Sequence, residues 1–139
     1  MIKFKADTRL FETGMIVASR AAISGSVEGA KVAIEHFKDD ALNKTPACPR
    51  KTGWMAEHHV TEVTTFGKKV IASLSVIDTP YAASLHEGIS RWGTPYVYKF
   101  PGTGMKWIES KALRFKNMYI RDILGRFSTK LKIALEVLK

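Results

Sequence analysis

Four histidines, one cysteine and the turn Gly102-Thr103-Gly104 are the parts of this chain with chemistry to offer, and their spacing decides which chemistry. His58 and His59 are adjacent, so in a strand their side chains leave opposite faces and cannot grip one metal ion together. His86-Glu87 lacks the second histidine, four residues along a helix, that a zinc protease motif requires. A small hydrolase built on His59, His86 and Glu87 would need tertiary folding to bring the three together. Cys48 lies between Ala47 and Pro49 in a basic loop, surroundings that could lower a thiol's pKa, but no signature pairs it with a histidine. The Gly102 turn lacks both the longer glycine spacing and the Lys-Ser/Thr ending of a phosphate cradle. These patterns imply no catalytic set, no metal, no cofactor and no small-molecule substrate. A non-enzymatic role is expected.

Charge gives the next constraint. Lysine and arginine number 22 against 13 acids, a net charge of +9. From Lys106 to the end, nine bases stand against three acids, a net of +6 (9 − 3). Lys111, Arg114, Lys116, Arg121, Arg126, Lys130 and Lys132 make up most of this excess. They form either the wet face of a helix or a basic face for nucleic acid, an anionic surface or an acidic partner. One cysteine excludes an internal disulfide and suits a reducing cytoplasm. The N-terminus shows no secretory pattern, and no run is long and apolar enough for a membrane helix. A soluble protein made in the cytosol is expected, with no membrane partner.

The elements that must position these residues follow from periodicity. The 139 residues suit one domain, with residues 1–10 as an N-terminal arm carrying an edge-strand pattern at Ile2-Lys3-Phe4-Lys5. Ile16, Ile23, Val27, Ala30, Ile34, Phe37 and Ala41 mark one face of a long amphipathic helix. Gly25 and Gly29 lie four apart on it, which allows either a closely approaching partner helix or a bend. Pro46 and Pro49 end it. Two strand-like runs, 57–66 and 69–78, join at Gly67-Lys68 as an antiparallel hairpin. A short helix over 81–87 has Thr79 as N-cap and stops at Gly88. Residues 89–104, with three glycines, two prolines and four aromatics, read as a flexible loop or long β-extension. A helical run over 105–115 precedes a second long amphipathic helix through Ile120, Leu124, Phe127, Leu131, Ala134 and Leu138, interrupted at Gly125. The fold class is α+β: two long amphipathic helices, N- and C-terminal, packed on a small antiparallel sheet, with a long aromatic loop.

Three pieces in order carry a resemblance: "TP…TGWM" (Thr45-Pro46, then Thr52-Gly53-Trp54-Met55), "YAASLHEG" (Tyr81–Gly88) and "PGTGMKWIESKAL" (Pro101–Leu113). Their order resembles the minor capsid, neck or tail-completion proteins of long-tailed, siphovirus-like bacteriophages. The usual pattern there is a long helix, a "P-x-x-T-G-x-L" loop and a hairpin. "Y-A-x-x-(V/L)-E-x-G", a variable loop and a "P-F-(L/I)-x-x-A" helix then lead into a C-terminal helix. The likeness spans about residues 15–139. Met55 stands in place of the usual leucine, Trp54 is bulkier than usual, His86 stands where the family often has an apolar or polar residue ahead of Glu87, and Lys106-Trp107-Ile108 replaces "P-F-L".

The resemblance implies a structural virion protein, a ring at the head–tail junction that joins connector to tail tube around a central DNA passage. Its partners would be copies of itself, six or twelve, together with connector or head-closure and tail-tube proteins and non-specifically held DNA. Residues Pro46, Thr52, Gly53 and Trp54 form the family-motif loop. Tyr81, Leu85, His86, Glu87, Trp92, Tyr96, Tyr98 and Phe100 are the expected ring or partner contacts, with His86-Glu87 a polar rim or ion pair. A basic nucleic-acid-binding module is the alternative.

Overall fold

A computed structural model describes residues 9–50, 52–90 and 92–137. Its architecture is α+β. Helix α1 (Arg9–Asn43) runs beside α5 (Lys116–Val137) and packs against a two-stranded antiparallel sheet, β1 (His59–Phe66) and β2 (Lys69–Val76). Three short helices, α2 (Trp54–Glu57), α3 (Ala82–His86) and α4 (Glu109–Arg114), fill the connections. The strand pattern at residues 2–5 and the stripe position Leu138 lie outside the described residues, while Arg9 and Leu10 of the expected arm already belong to α1.

The two glycines of α1 face a partner helix. A Cβ on Gly25 would meet Phe127 Cα at 2.8 Å, and one on Gly29 would meet Ile123 Cα at 2.6 Å. Only hydrogen at these positions lets the two backbones approach so closely. Polar links continue the antiparallel pairing at the other end. His36 Nδ1 lies 2.9 Å from Asp122 Oδ2, and the Tyr119 hydroxyl donates to Asp40 Oδ2 at 2.7 Å. Helix α5 runs unbroken through Gly125, so the expected interruption does not occur: that glycine has open space around it and costs only propensity.

Helix α1 stops where its last carbonyls find other donors. Cys48 N–H donates to Ala41 O at 3.0 Å and the Arg50 guanidinium to Leu42 O at 3.0 Å, groups a helix end otherwise leaves unpaired. Residues Trp54–Glu57, the start of which precedes the expected strand, form α2, so β1 begins at His59 and not at residue 57. In the hairpin His59 pairs with Val76 and Phe66 with Lys69 without a break. Gly67 has φ +61° while Lys68 is not left-handed, the pattern of a II′ turn. His59, Thr61, Val63, Val70, Ala72, Leu74 and Val76 share the face toward α1, with the Thr61 hydroxyl donating to Glu35 Oε1.

Thr79 does not cap α3. Its hydroxyl turns back to Ile77 O at 2.9 Å, and the residue preceding the helix is Tyr81. Gly88, at φ +77°, ends α3 as its sequence position implies. The expected 105–115 helix is shortened to Glu109–Arg114, because Lys106 is held left-handed at φ +58°.

The centre of packing is small and lies near the end of α1, where Ala41, Cys48, Met55, Ala82 and Trp107 are buried together. Five of the nine buried apolar residues among those described are alanines.

Candidate functional site

Trp107 is the hub of this region. It is fully buried, and its indole N–H donates to His59 Nε2 at 3.2 Å. The other His59 nitrogen, Nδ1, lies 2.8 Å from Met55 O, an acceptor only, so Nδ1 carries the proton and the ring is neutral. Burial lowers the His59 pKa further. On the opposite side His86 meets Trp107 edge-on, with ring centroids 4.9 Å apart. Folding therefore does bring His59 and His86 to one place, but with the indole between them. His59 has both nitrogens committed within the core, so the pair is not a metal-binding or acid–base couple.

His86 is equally engaged. Its Nε2 accepts from the backbone N–H groups of Ile108 and Glu109, each at 3.3 Å, and Nδ1 faces Glu87 Oε1 at 3.3 Å. This ties the end of α3 to the start of α4. Lys106 Nζ then lies 2.5 Å from Glu87 Oε2 and 2.9 Å from Glu109 Oε2. The Lys106 ammonium, followed by the His86 hydrogen bond, holds the Glu87 carboxyl below its ordinary range, and the two glutamates raise Lys106. Ligand atoms of His86, Glu87 and Glu109 converge within 4.8 Å, the one such group among the described residues. The lysine ammonium already stands where these carboxylates would hold a cation.

Helix α3 and the 89–104 segment together border a cleft of about 380 Å³, lined by Met55, Tyr81, Leu85, Ile89, Trp92 and Tyr96 among others. The segment is folded back on itself. Tyr96 N–H donates to Gly88 O at 2.9 Å, Ile89 bridges to Pro95, and the Tyr98 hydroxyl donates to Leu85 O. Tyr96 and Tyr98 stand edge-on at 4.9 Å and are half-buried, whereas Trp92 and Phe100 are exposed at 76 % and 48 %. The four aromatics thus divide between internal packing and surface.

Elements of the motif loop meet this cleft from below. Thr52 and Gly53 line it, with Gly53 left-handed at φ +82°, and Pro46 accepts from Lys111 Nζ at 2.6 Å. Trp54 is exposed and stacks on His58 at 4.0 Å.

One reading from the sequence needs correction. Lys111, placed on the basic face, is 1 % exposed; its ammonium is spent on Pro46 O and Trp107 O, and burial lowers its pKa. Cys48 is not activated by its basic loop: burial outweighs the Arg50 charge and pushes the thiol up to about 12. Of the remaining bases, Lys130 pairs with Glu28 at 3.1 Å, and Arg114, Lys116, Arg121, Arg126 and Lys132 are exposed. Arg121 and Lys132 share one side of α5, while Arg126, five residues from Arg121, points well round the helix. They do not make one continuous stripe.

Sequence reasoning missed Trp107 and Lys106. The available signal was a lone tryptophan with an isoleucine beside it inside a polar run. No family model, no curated protein and no solved structure matches this chain.

Proposed function

We propose that this chain is a structural subunit of a bacteriophage head–tail junction, one copy of an oligomeric ring that joins connector to tail tube around the DNA path. The order of the three sequence motifs supports the phage assignment. One physical observation supports the assembly: the isolated subunit leaves too much apolar surface uncovered. Among the described residues, nineteen large apolar side chains are exposed.

Part of this surface follows a seam. On α5, Ile120 and Leu124 are 43 % and 54 % exposed, although the stripe to which they belong reads as core-facing in the sequence. Helix α1 covers only one flank of that stripe, so Ile120, Leu124 and Leu135 are left for another partner. Trp92 and Tyr81 border the cleft beside α3, and with exposed Phe100 they supply aromatic anchors of the kind that carry interface energy. His86, Glu87 and Lys106 form the polar rim beside them.

The test is solution mass by light scattering over concentration and salt, with electron microscopy of mixtures with tail-tube and connector proteins. Rings of six or twelve copies, alone or on addition of a partner, support the reading. A monomer indifferent to those partners, with tight and steeply salt-dependent DNA binding, replaces it by the nucleic-acid module.

A further inference from the structure

Among the described residues, nothing guards either edge of the hairpin. Ile77 N–H donates to His58 O at 3.0 Å, so 58 and 77 form a hydrogen-bonded pair; alternation along the unbroken register makes 60/75, 62/73, 64/71 and 66/69 bonded pairs as well. The backbone N–H and C=O groups of Thr61, Val63 and Thr65 on β1, and of Val70, Ala72 and Leu74 on β2, therefore point outward. Among the described residues no backbone group of the chain meets them.

Natural edge strands are protected by a proline, a bulge, a cover or an inward charge. Neither strand has a proline or a bulge, and each carries one charged residue, Glu62 and Lys69. Their solvent face adds exposed Val60, Phe66 and Ile71. A two-stranded ribbon is also marginal on its own.

We infer that β1 of one copy pairs antiparallel with β2 of the next, joining the hairpins of successive subunits into one continuous sheet. Two observations, the open edges and the low charge of the ribbon, favour a second copy as occupant, and the equal strand lengths and shared outward face permit it. Among the described residues both edges are open, whereas a single foreign strand would need only one. The edges are equally long, eight residues each. Their outward groups belong on both strands to residues of the α1-side face, so a rotated copy continues the sheet with its helices on the same side. Finally, copies of net charge +9 repel, and the ribbon from His59 to Val76 carries only Glu62 against Lys68 and Lys69, a net of +1 (2 − 1). Pairing a β1 edge with a β2 edge is head-to-tail, the contact type that closes rings by rotation. This inference rests on the proposed function only in taking copies of the chain to associate.

The experiment is a mixing test on the full chain. Thr65→Pro and Ala72→Pro each remove one outward N–H, from β1 and β2 respectively, and leave the bonds inside the hairpin intact. Thr65→Lys and Ala72→Lys block the same edges without a backbone change and serve where a proline variant does not fold by circular dichroism. Each single variant alone is expected to be a monomer at concentrations where the wild type assembles. Mixed in equal amounts, the two are expected to form a species of two copies and nothing larger, through the one intact β1 and the one intact β2. Loss of assembly in one variant only would show a two-fold contact and overturn the head-to-tail pairing. Variants that assemble like the wild type overturn the edge contact while leaving the ring reading standing. A wild type that stays monomeric with and without partners overturns both.

Discussion

Gly29 lies so close to Ile123 that a Cβ placed on it would stand 2.6 Å from the Ile123 Cα and carbonyl oxygen. Backbone cannot yield as a flexible side chain can, so this glycine sets the distance between α1 and α5.

Gly29→Ala should therefore destabilise, although alanine is the better helix former by about 1 kcal/mol. Overpacking of this kind costs typically about 1–3 kcal/mol, and the backbone contact places the net effect on the losing side. Gly125→Ala, a helix interior with nothing within 4 Å, should instead gain up to about 1 kcal/mol. Chemical denaturation of the two variants checks both; a stabilised Gly29→Ala would show that the helices separate readily.

The two long helices and the hairpin were legible in advance, from apolar periodicity and from clean alternation between Val70 and Val76. The pairing of the helices was not: two glycines four apart on one face allow a close neighbour or a bend, and only the contact of Gly25 and Gly29 with α5 decides between them. What could not be read was which faces end up covered. Ile120 and Leu124 carry the periodicity of a core stripe, and periodicity reports amphipathicity without naming the partner. The cluster at Trp107 was hidden for a different reason: His59 and Trp107 are 48 residues apart, and local pattern carries no information about such a pairing. Lys111 was misread because a lysine in a polar run looks wet until Pro46 and Trp107 present it with carbonyls. Thr79 has the right type for a cap, but the turn at Ile77 claims its hydroxyl first.

Acid should weaken the fold through His59. Its folded pKa lies below the ordinary value of 6.5, so between the two values the unfolded chain binds more protons than the folded one. Stability is then expected to fall as the pH drops below about 6.5, by at most about 1.4 kcal/mol per pH unit from this one group. His59→Gln should flatten that part of the curve in urea titrations at pH 5 to 7. An unchanged slope would place the acid sensitivity elsewhere.

Glu87 should titrate below the usual glutamate range while Lys106 is present, and return toward it in Lys106→Met. Being depressed, this carboxyl contributes stability at pH above its unfolded value that is lost as the pH falls through its folded one. Side-chain carboxylate chemical shifts followed against pH give the answer directly. A Glu87 pKa indifferent to Lys106 would dissolve the ion pair.

Cys48 should resist alkylation in the native protein at pH 8, where a thiol held at about 12 is almost wholly protonated and also buried. Denaturant should expose one reactive thiol per chain. Labelling at the rate of a free thiol before unfolding would mean that the loop over 45–50 opens on its own.

The hairpin and the small core gather on the C-terminal part of α1, from Lys31 to Asn43. The stretch Arg9–Ala30, 22 residues, therefore stretches roughly 33 Å beyond that anchorage at 1.5 Å per residue. Such a geometry has leverage. A tilt of about ten degrees where the sheet is fixed sweeps the far tip of the helix through roughly 6 Å. In a closed assembly, a small change at the rim of sheets would appear as a wide change in aperture at the helical end.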